Sequence, residues 1–198
     1  MIKFINLSKE KPYLEFKSKY DKALNLNQKH IEALSVSSYS TRLNEVNSRY
    51  VNLKLVNNKN FIFFSNYNSP KAKEFEEHHQ ISALLYWDTI NTQIRLKANI
   101  KKTSIEYNKK YFMDRSLQKN ALAISSRQSE PIDSYENVKE NYNQSLNLDN
   151  LRDCPEYWGG YSITPYYFEF WEGHESRINK RQVFNNIDGN WEQSFLQP

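Results

Sequence analysis

A Trp and two Arg lie close together in the segment EFWEGHESRINKR, residues 169–181. If its two halves pair as a hairpin about Gly173, strand alternation places its acid, its Trp and three polar or basic residues on one face. These residues are Glu169, Trp171, Arg177, Asn179 and Arg181. An indole and two guanidinium groups on one face suit the binding of a flat anionic ring. A solvated sheet face, with the Trp half covered by Arg stems, is the alternative.

Three other segments carry groups that bind anions. Arg49 and Lys54 lie in the strand-like run RYVNLKLV, where an ordinary exposed basic face is the alternative. Residues 69–71, Ser-Pro-Lys, predict a helix start with the Ser as N-cap, and its free N–H groups and Lys suit an anion. Gln128 and Ser129 could donate to a phosphate or cap a turn.

Several classes of site are excluded by what the sequence lacks. With four glycines, neither G-x-G-x-x-G nor G-x-x-x-x-G-K-[ST] occurs, which excludes the usual dinucleotide fold and the P-loop. His78 and His79 lack the Cys or carboxylate spacing of a metal site, so no metal is expected. No Gly-x-Ser-x-Gly occurs, and Cys154 has no nucleophile context.

Hydrophobic periodicity predicts the elements that position these groups. The predicted strands are residues 49–56, 61–65, 81–87, 93–100 and most of 160–198, with a hairpin turn at Asp188-Gly189. The predicted helices are residues 12–25, a segment after Ser69, one capped by Thr103 with Glu106, 117–125 and about 134–146, and 141–153 reads as a loop. This order predicts an α+β fold, a mostly antiparallel sheet or small barrel with helices to one side.

We expect one domain over residues 1–198. It would have a helical extension at 1–30, barrel strands at 49–100 and 160–198, and inserted helices at 103–146. The formal net charge of +4 and the absence of like-charge blocks predict no nucleic-acid partner. No signal peptide and no membrane span is expected, and one cysteine fits a reducing cytoplasm.

Several segments, in order, resemble motifs of the pyridoxamine/pyridoxine 5′-phosphate oxidase family. They are RYVNLK (49–54), FFSNYNSPK (63–71), TQIR (92–95), YFMDR (111–115), SRQS (126–129), WGGY (158–161), EFWEG (169–173) and RINKR (177–181). The resemblance runs from about Arg49 to the C-terminus and is weaker before it. Each motif alone is weak, and their shared order carries the resemblance.

The resemblance implies an FMN-binding split β-barrel, antiparallel, with peripheral helices. It also implies a homodimer with FMN at the subunit interface and a small phosphorylated substrate. In such enzymes the flavin takes a hydride from the C4′ carbon of pyridoxamine or pyridoxine 5′-phosphate, and O2 reoxidises it to give H2O2. The expected activity is therefore formation of pyridoxal 5′-phosphate in vitamin B6 salvage.

Site residues follow from the resemblance, position by position. The implied FMN contacts are Arg49, Tyr50, Val51, Asn52, Leu53, Lys54, Phe64, Ser65, Lys71, Gln93, Gln128, Ser129, Trp171 and Arg181. The implied substrate contacts are Lys54, Tyr111, Arg115, Lys119, Arg177 and Asn179, of which Arg177 and Asn179 would be catalytic.

The sequence departs from the family pattern mainly at the substrate end. Pro70 replaces an Arg, Lys119 a Ser, Asn179 a His, Lys180 an Asp and Phe195 an Arg. Asn can hydrogen-bond a pyridine substituent but cannot become a cation as His can. Two alternatives therefore stay open: a split-barrel flavoprotein with another substrate, and a non-catalytic binder of FMN or pyridoxal phosphate.

Overall fold

The computed structural model describes residues 1–198 as a sheet-rich fold with peripheral helices. The strands are β1 (Lys3–Ile5), β2 (Ala33–Ser40), β3 (Glu45–Asn52), β4 (Leu55–Asn57), β5 (Asn60–Asn66), β6 (Gln80–Trp87), β7 (Thr92–Lys102), β8 (Trp158–Glu172), β9 (Lys180–Ile187) and β10 (Asn190–Leu196). The helices are α1 (Lys11–Asn25), α2 (Pro70–Glu77), α3 (Ile105–Met113), α4 (Leu117–Ser125) and α5 (Tyr135–Ser145). None of these helices has the length and apolar composition needed to cross a membrane. The expected α+β class is confirmed.

All the strands join one sheet, in which β8 is the branching strand. The order is β1-β4-β5-β8-β7-β6-β2-β3, with β9 attached to β8 and β10 to β9. Every pairing is antiparallel except that of β1 with β4. The first part of β8 pairs with β5 and its last part with β9. On its other edge, β8 pairs with β7 along most of its length. Because β3 returns to contact β5, the sheet curls into a barrel that is split where β8 changes partner.

Aromatic side chains fill the core between α1 and the barrel. The Phe16 ring centroid lies 4.9 Å from that of Phe61 and 5.6 Å from that of Trp87. Tyr13, one helical turn earlier, lies 5.1 Å from Phe168 in an edge-to-face contact. All five side chains are fully buried. Since burying one such side chain contributes about 1.5–3 kcal/mol, this face holds α1 on the barrel.

The elements with the strongest sequence patterns are confirmed. In β7, Ile94, Leu96 and Ala98 are buried and the residues between them point outward. The turn between β9 and β10 has Gly189 at φ +88°, in the left-handed region that glycine adopts without strain. Helices α1 and α4 occupy the predicted ranges to within one residue.

Two local predictions around the barrel strands are wrong. The segment 49–56 is not one strand, because β3 ends at Asn52 and β4 begins at Leu55. Between them, Leu53 N donates to Glu32 O and Lys54 N donates to Ile62 O, so the backbone changes neighbours there. The cap of α3 is Ser104, whose Oγ accepts from Tyr107 N at 3.2 Å. Thr103 lies just after β7, and its N donates to Gly160 O at 2.9 Å.

Two further elements and one predicted loop differ from the sequence-based expectation. Strand β2 was missed because its inward positions are Leu34, Val36, Ser38 and Ser40, and buried serines hide the apolar alternation. The extension at 1–30 includes β1 as well as α1. Helix α5 (Tyr135–Ser145) confirms the helix predicted over about 134–146, so only the overlapping loop prediction 141–153 is wrong over its first residues.

The hairpin predicted about Gly173 is also wrong in detail. Strand β8 ends at Glu172 and β9 begins at Lys180, so residues 173–179 form a loop rather than a tight turn. Glu169, Trp171 and Arg181 do share one face of the sheet, because Trp171 pairs directly with Arg181. Arg177 and Asn179 lie in the loop, outside the strand alternation.

Candidate functional site

A cavity of about 1070 Å³ opens where the ends of β3 and β5 meet the start of α2 and helices α3 and α4. Most of the predicted site residues line it, although they come from distant parts of the chain. Those in its wall are Arg49, Tyr50, Val51, Asn52, Lys54, Phe64, Ser65, Lys71, Tyr111, Arg115, Lys119, Gln128 and Ser129. The fold therefore gathers the cationic and aromatic groups that the sequence motifs contain.

Arg49 and Lys71, here called the α2 cation pair, form one end of the cavity. Lys71 is 8% exposed, and its Nζ donates to Ser69 Oγ at 3.0 Å without forming an ion pair. Burial, and next the charge of Arg49, lowers the pKa of Lys71 to about 8. A buried ammonium group beside a guanidinium group and a helix N-terminus is a site for an anion.

Ser69 occupies the predicted N-cap position of α2, but its side chain has a different role. Its Oγ donates to Asn66 O at 2.7 Å and makes no hydrogen bond to the backbone of the first helical turn. The Pro at the first helical position, Pro70, has no N–H to satisfy. Ala72 N and Lys73 N both donate to Ser69 O, so the backbone N–H of Lys71 is the donor of that turn that stays available.

Arg49 is held from behind by side chains of α2 and β2. Its NH2 donates to Glu74 Oε2 at 2.9 Å and its NH1 donates to Ser38 Oγ at 2.5 Å. Glu74 is 5% exposed and also accepts from Asn47 Nδ2 at 3.0 Å. These contacts fix the direction of the guanidinium group.

The loop that carries Gln128 and Ser129 closes over the end of β5. Gln128 Oε1 accepts from Ser65 Oγ at 3.1 Å and from Asn66 N at 3.3 Å. Ser129 has φ +71°, a left-handed conformation that is uncommon for a residue with a side chain. Such backbone conformations cost free energy and cluster at functional sites.

A stack of aromatic rings forms part of the cavity wall, next to Arg115. The Tyr111 ring lies 3.7 Å from that of Phe64, centroid to centroid and nearly parallel, and Trp158 stacks on Phe64 at 5.1 Å. Burial raises the pKa of Tyr111, so its hydroxyl stays protonated and able to donate. Trp158 was not among the predicted site residues, although the WGGY motif contains it and its position opposite Asn66 at the start of β8 brings it to the wall.

Lys54, Arg115 and Lys119, here called the α3–α4 cluster, bring three cations to the other end. None of the three forms an ion pair, and Arg115 stacks on the Trp158 ring at 4.5 Å. Burial first, and then the charges of Lys119 and Arg115, lower the pKa of Lys54 against the opposing effect of Glu32. The NH1 group of Arg115 is buried without a hydrogen-bond partner. Mutually repelling cations with an unsatisfied donor indicate a second anion site.

The remaining polar residues form a row on a different part of the molecule. Gln93 pairs directly with Trp171, and Trp171 pairs directly with Arg181, so the three lie side by side across β7, β8 and β9. Glu169, 2% exposed, accepts from Arg181 Nε at 2.8 Å and from Tyr167 Oη at 2.8 Å, and it also pairs with Arg95. This sheet face presents an amide, an indole and a guanidinium group, here called the β7–β9 row.

Six predicted contacts do not line the cavity of their own chain. They are Leu53, Gln93, Trp171, Arg177, Asn179 and Arg181. Leu53 is fully buried in the hydrophobic core, so its side chain cannot contact a ligand in the cavity. Arg177 has φ +60° in the loop 173–179, where its N donates to His174 O at 2.9 Å. The predicted constellation is thus divided between the cavity and the β7–β9 row with its adjoining loop.

Curated relatives match nearly the whole chain. The chain is 31% identical over 191 residues to pyridoxine/pyridoxamine 5′-phosphate oxidase 1 of Hydrogenovibrio crunogenus, covering 94% of this chain and 88% of that protein. It is 32% identical over 207 residues to pyridoxine/pyridoxamine 5′-phosphate oxidase of Rhodopirellula baltica, covering 98% and 90%. A family model for the pyridoxine 5′-phosphate oxidase C-terminal dimerisation region matches residues 158–198.

Solved structures share the fold. PhzG from Burkholderia lata 383, crystallised in complex with tetrahydrophenazine-1-carboxylic acid, matches with a TM-score of 0.89 at 23% identity, covering 95% of this chain and 93% of that one. A pyridoxamine 5′-phosphate oxidase-related, FMN-binding protein of Nostoc punctiforme matches with a TM-score of 0.79 at 10% identity, covering 96% and 99%. The expected split-barrel fold is confirmed. With two full-length relatives above 30% identity, the chain belongs to the pyridoxine/pyridoxamine 5′-phosphate oxidase family.

Proposed function

We propose that this protein is an FMN-dependent oxidase that converts pyridoxamine and pyridoxine 5′-phosphate to pyridoxal 5′-phosphate, with O2 as the electron acceptor. The observation that carries the proposal is the presence of two separate cation groups in one cavity that is also lined by a stack of aromatic rings. Cofactor and substrate each carry one phosphate and one flat ring. Two phosphates and two rings match the two cation groups and the aromatic wall.

The cofactor of this family is FMN, and the residues of the cavity fit it. Within the α2 cation pair, Lys71 is buried with no carboxylate partner, whereas Arg49 beside it is paired with Glu74 at 2.9 Å. A phosphate dianion there would balance the charge of Lys71 and accept hydrogen bonds from Arg49 and from the backbone N–H of Lys71 at the start of α2. The fixed amide of Gln128 and hydroxyl of Ser65 supply neutral polar groups next to that position.

The α3–α4 cluster would bind the substrate phosphate. Arg115 has the unsatisfied NH1 donor, and Lys54 and Lys119 bring two further charges. Tyr111 adds a hydroxyl donor that burial keeps protonated. Lys119 therefore strengthens anion binding where the family pattern has a neutral Ser.

A second copy of the chain would complete the site. The β7–β9 row and the loop with Arg177 and Asn179 do not reach the cavity of their own chain, yet they carry the remaining groups. The region matched by the dimerisation model, residues 158–198, contains Trp171, Arg181 and this loop. In the proposed homodimer, each cavity receives the row and the loop of the partner subunit.

When bound, FMN supplies the redox chemistry, accepting a hydride from the C4′ carbon of the substrate and passing the electrons to O2 to form H2O2. The chain's own residues orient the reactants and exclude water. The α3–α4 cluster fixes the phosphate, and the stacked wall of Phe64, Tyr111 and Trp158 keeps the ring region apolar. Arg177 would lie over the pyridine ring, and Asn179 would hydrogen-bond a ring substituent without transferring a proton.

The second candidate is a flavoprotein of the same family with another substrate. The observation that favours it is the local bonding of Asn179, whose Oδ1 accepts from His174 N at 3.0 Å. That bond ties the side chain to its own loop and leaves only the NH2 group for a ligand. Under this candidate, Asn179→His would create oxidase activity that the native protein lacks.

The deciding experiment is an aerobic assay of FMN-saturated protein with pyridoxamine 5′-phosphate, and separately with pyridoxine 5′-phosphate, reading pyridoxal 5′-phosphate and H2O2 together. Steady turnover with equal amounts of both products supports the proposal and eliminates a non-catalytic binder. A yellow protein without turnover on either substrate rejects the oxidase and favours the second candidate. Protein that binds no FMN rejects both.

A further inference from the structure

Glu74 is a buried carboxylate placed directly behind the α2 cation pair. It is 5% exposed, lies on α2, and is not part of the cavity wall. Its Oε2 accepts from Arg49 NH2 at 2.9 Å and from Ser38 Oγ, and its Oε1 accepts from Asn47 Nδ2 at 3.0 Å. Both carboxylate oxygens are therefore satisfied by neighbours, and none of this bonding involves a ligand.

The same contacts hold the NH1 and NH2 groups of Arg49 against β2 and α2. NH1 donates to Ser38 Oγ at 2.5 Å and to Val36 O at 3.4 Å, while NH2 donates to Glu74. Arg49 is also part of the cavity wall, on the side of Lys71. The guanidinium group thus has its direction set by β2 and α2 before any ligand arrives.

We propose that Glu74 is a positioning residue for the cofactor phosphate, acting through Arg49. The inference rests on the proposed function, in which the α2 cation pair binds the phosphate of FMN. An unrestrained Arg side chain loses rotamer entropy when a ligand fixes it. Glu74 meets that cost during folding, so the guanidinium group is already aligned for bidentate bonding.

Removal of Glu74 should change FMN affinity in the direction opposite to the one that simple electrostatics predicts. Glu74 carries a negative charge close to a site for a dianion, so by Coulomb attraction alone its removal should tighten FMN binding. If Glu74 acts by aligning Arg49, its removal should weaken FMN binding instead. Because Glu74 also raises the pKa of Lys71, the titrations are made well below pH 8, where Lys71 is protonated, and there the sign of the affinity change separates the two effects.

The experiment is a titration of apo-protein with FMN, and in parallel with riboflavin, which lacks the phosphate, followed by quenching of flavin fluorescence. Glu74→Met removes both acceptors, and Glu74→Gln removes the charge but keeps one acceptor. Glu76→Gln is the matched control, because Glu76 lies on the same helix but pairs with Lys102 at the surface. Near-ultraviolet circular dichroism verifies that each variant is folded.

We expect Glu74→Met to weaken FMN binding by about tenfold and Glu74→Gln by less, in keeping with the loss of a charged hydrogen bond. Riboflavin affinity, and the affinity of the Glu76→Gln control for FMN, should stay unchanged. In an Arg49→Met background, Glu74→Met should have no further effect on FMN affinity, since its action passes through Arg49.

Unchanged or tighter FMN binding by Glu74→Met overturns the inference while leaving the proposed function intact. An equal loss of riboflavin affinity also overturns it, because the role would then be general to the fold. If Glu74→Met does not fold, Ser38→Ala removes the shared hydroxyl and should weaken FMN binding severalfold; unchanged affinity there overturns the inference. Wild-type protein that binds no FMN overturns both the inference and the proposed function.

Discussion

If the FMN phosphate binds at the α2 cation pair, as proposed, the lowered pKa of Lys71 should make FMN affinity depend on pH in a calculable way. In the free protein this pKa is about 8, because the ammonium group is buried and faces Arg49. The FMN phosphate has its second pKa near 6, so it stays a dianion from pH 7 upward. Binding therefore needs the protonated Lys71, which is present below about pH 8 and is lost above it.

The expected size follows from the proton that Lys71 must regain on binding at high pH. Affinity falls by the factor 1 + 10^(pH − pKa), which is ~1.1 at pH 7 and ~11 at pH 9 for a pKa of about 8. FMN binding should thus weaken about tenfold between these values, equivalent to ~1.4 kcal/mol. Flavin fluorescence titrations of apo-protein in half-unit pH steps measure it.

Two variants and a second ligand test whether Lys71 causes the pH dependence of FMN affinity. Lys71→Arg keeps its charge throughout this range, so its FMN affinity should be independent of pH. Lys71→Met should bind FMN weakly, and its FMN affinity should also be independent of pH. The affinity of the wild-type protein for riboflavin should not change with pH either. A flat wild-type profile, or the same slope in Lys71→Arg, would refute the assignment of the pH effect to Lys71.

Three further predictions address the other parts of the site. In steady-state assays, Arg115→Gln should raise the KM for pyridoxamine 5′-phosphate about tenfold, because a charged hydrogen bond is lost. FMN affinity should not change. The control is Lys109→Gln, because Lys109 lies on the exposed face of α3. Mixed subunits of Lys71→Met and Trp171→Ala, each inactive alone, should regain about a quarter of wild-type activity, because heterodimers keep one intact composite site. Glu169→Gln should lower the free energy of unfolding in urea at pH 7 by about 2–3 kcal/mol, since two arginines lose a buried partner.

Each of these predictions has a clear contrary outcome. An Arg115→Gln enzyme with normal KM would remove the α3–α4 cluster from substrate binding, and mixed subunits that stay inactive would argue against a shared site. For Glu169, burial alone would raise its pKa, but hydrogen bonds from Tyr167 and Arg181 and the charge of Arg95 lower it. Its stabilisation should be complete above about pH 4.3, the unfolded value, and fade as pH falls further. An unchanged gap between wild type and Glu169→Gln at low pH would contradict this.

Elements with a clear local signal could be predicted from the sequence. The period-two alternation of β7 and the Pro at the start of α2 both mark their elements directly. Strand β2 lacked such a signal, because Ser38 and Ser40 replace apolar residues at its inward positions. Ser38 is buried for a reason that only the fold reveals, namely its hydrogen bonds with Glu74 and Arg49.

The candidate site shows the same division between local and long-range information. Ordered motifs identified most residues of the cavity wall, since each motif keeps its residues adjacent in sequence. The alignment of Gln93 with Trp171 and Arg181 depends on the register between β7, β8 and β9. Register between strands cannot be predicted from a local sequence pattern. The sequence pattern predicts a tight turn at Gly173, whereas β9 begins only at Lys180, and Arg177 therefore lies in a loop rather than in a strand.

The unbroken course of β8 has a consequence for how the two subunits share ligands. Trp158, at one end of this 15-residue strand, lines the cavity, and Trp171, near the other end, belongs to the row offered to the partner. At about 3.3 Å per residue the two indoles are roughly 40 Å apart along the strand. In the proposed homodimer, each β8 therefore spans from one flavin to the other. Dissociation of the subunits would dismantle both sites at once, so dilution of the protein should release flavin, and added FMN should hold the subunits together.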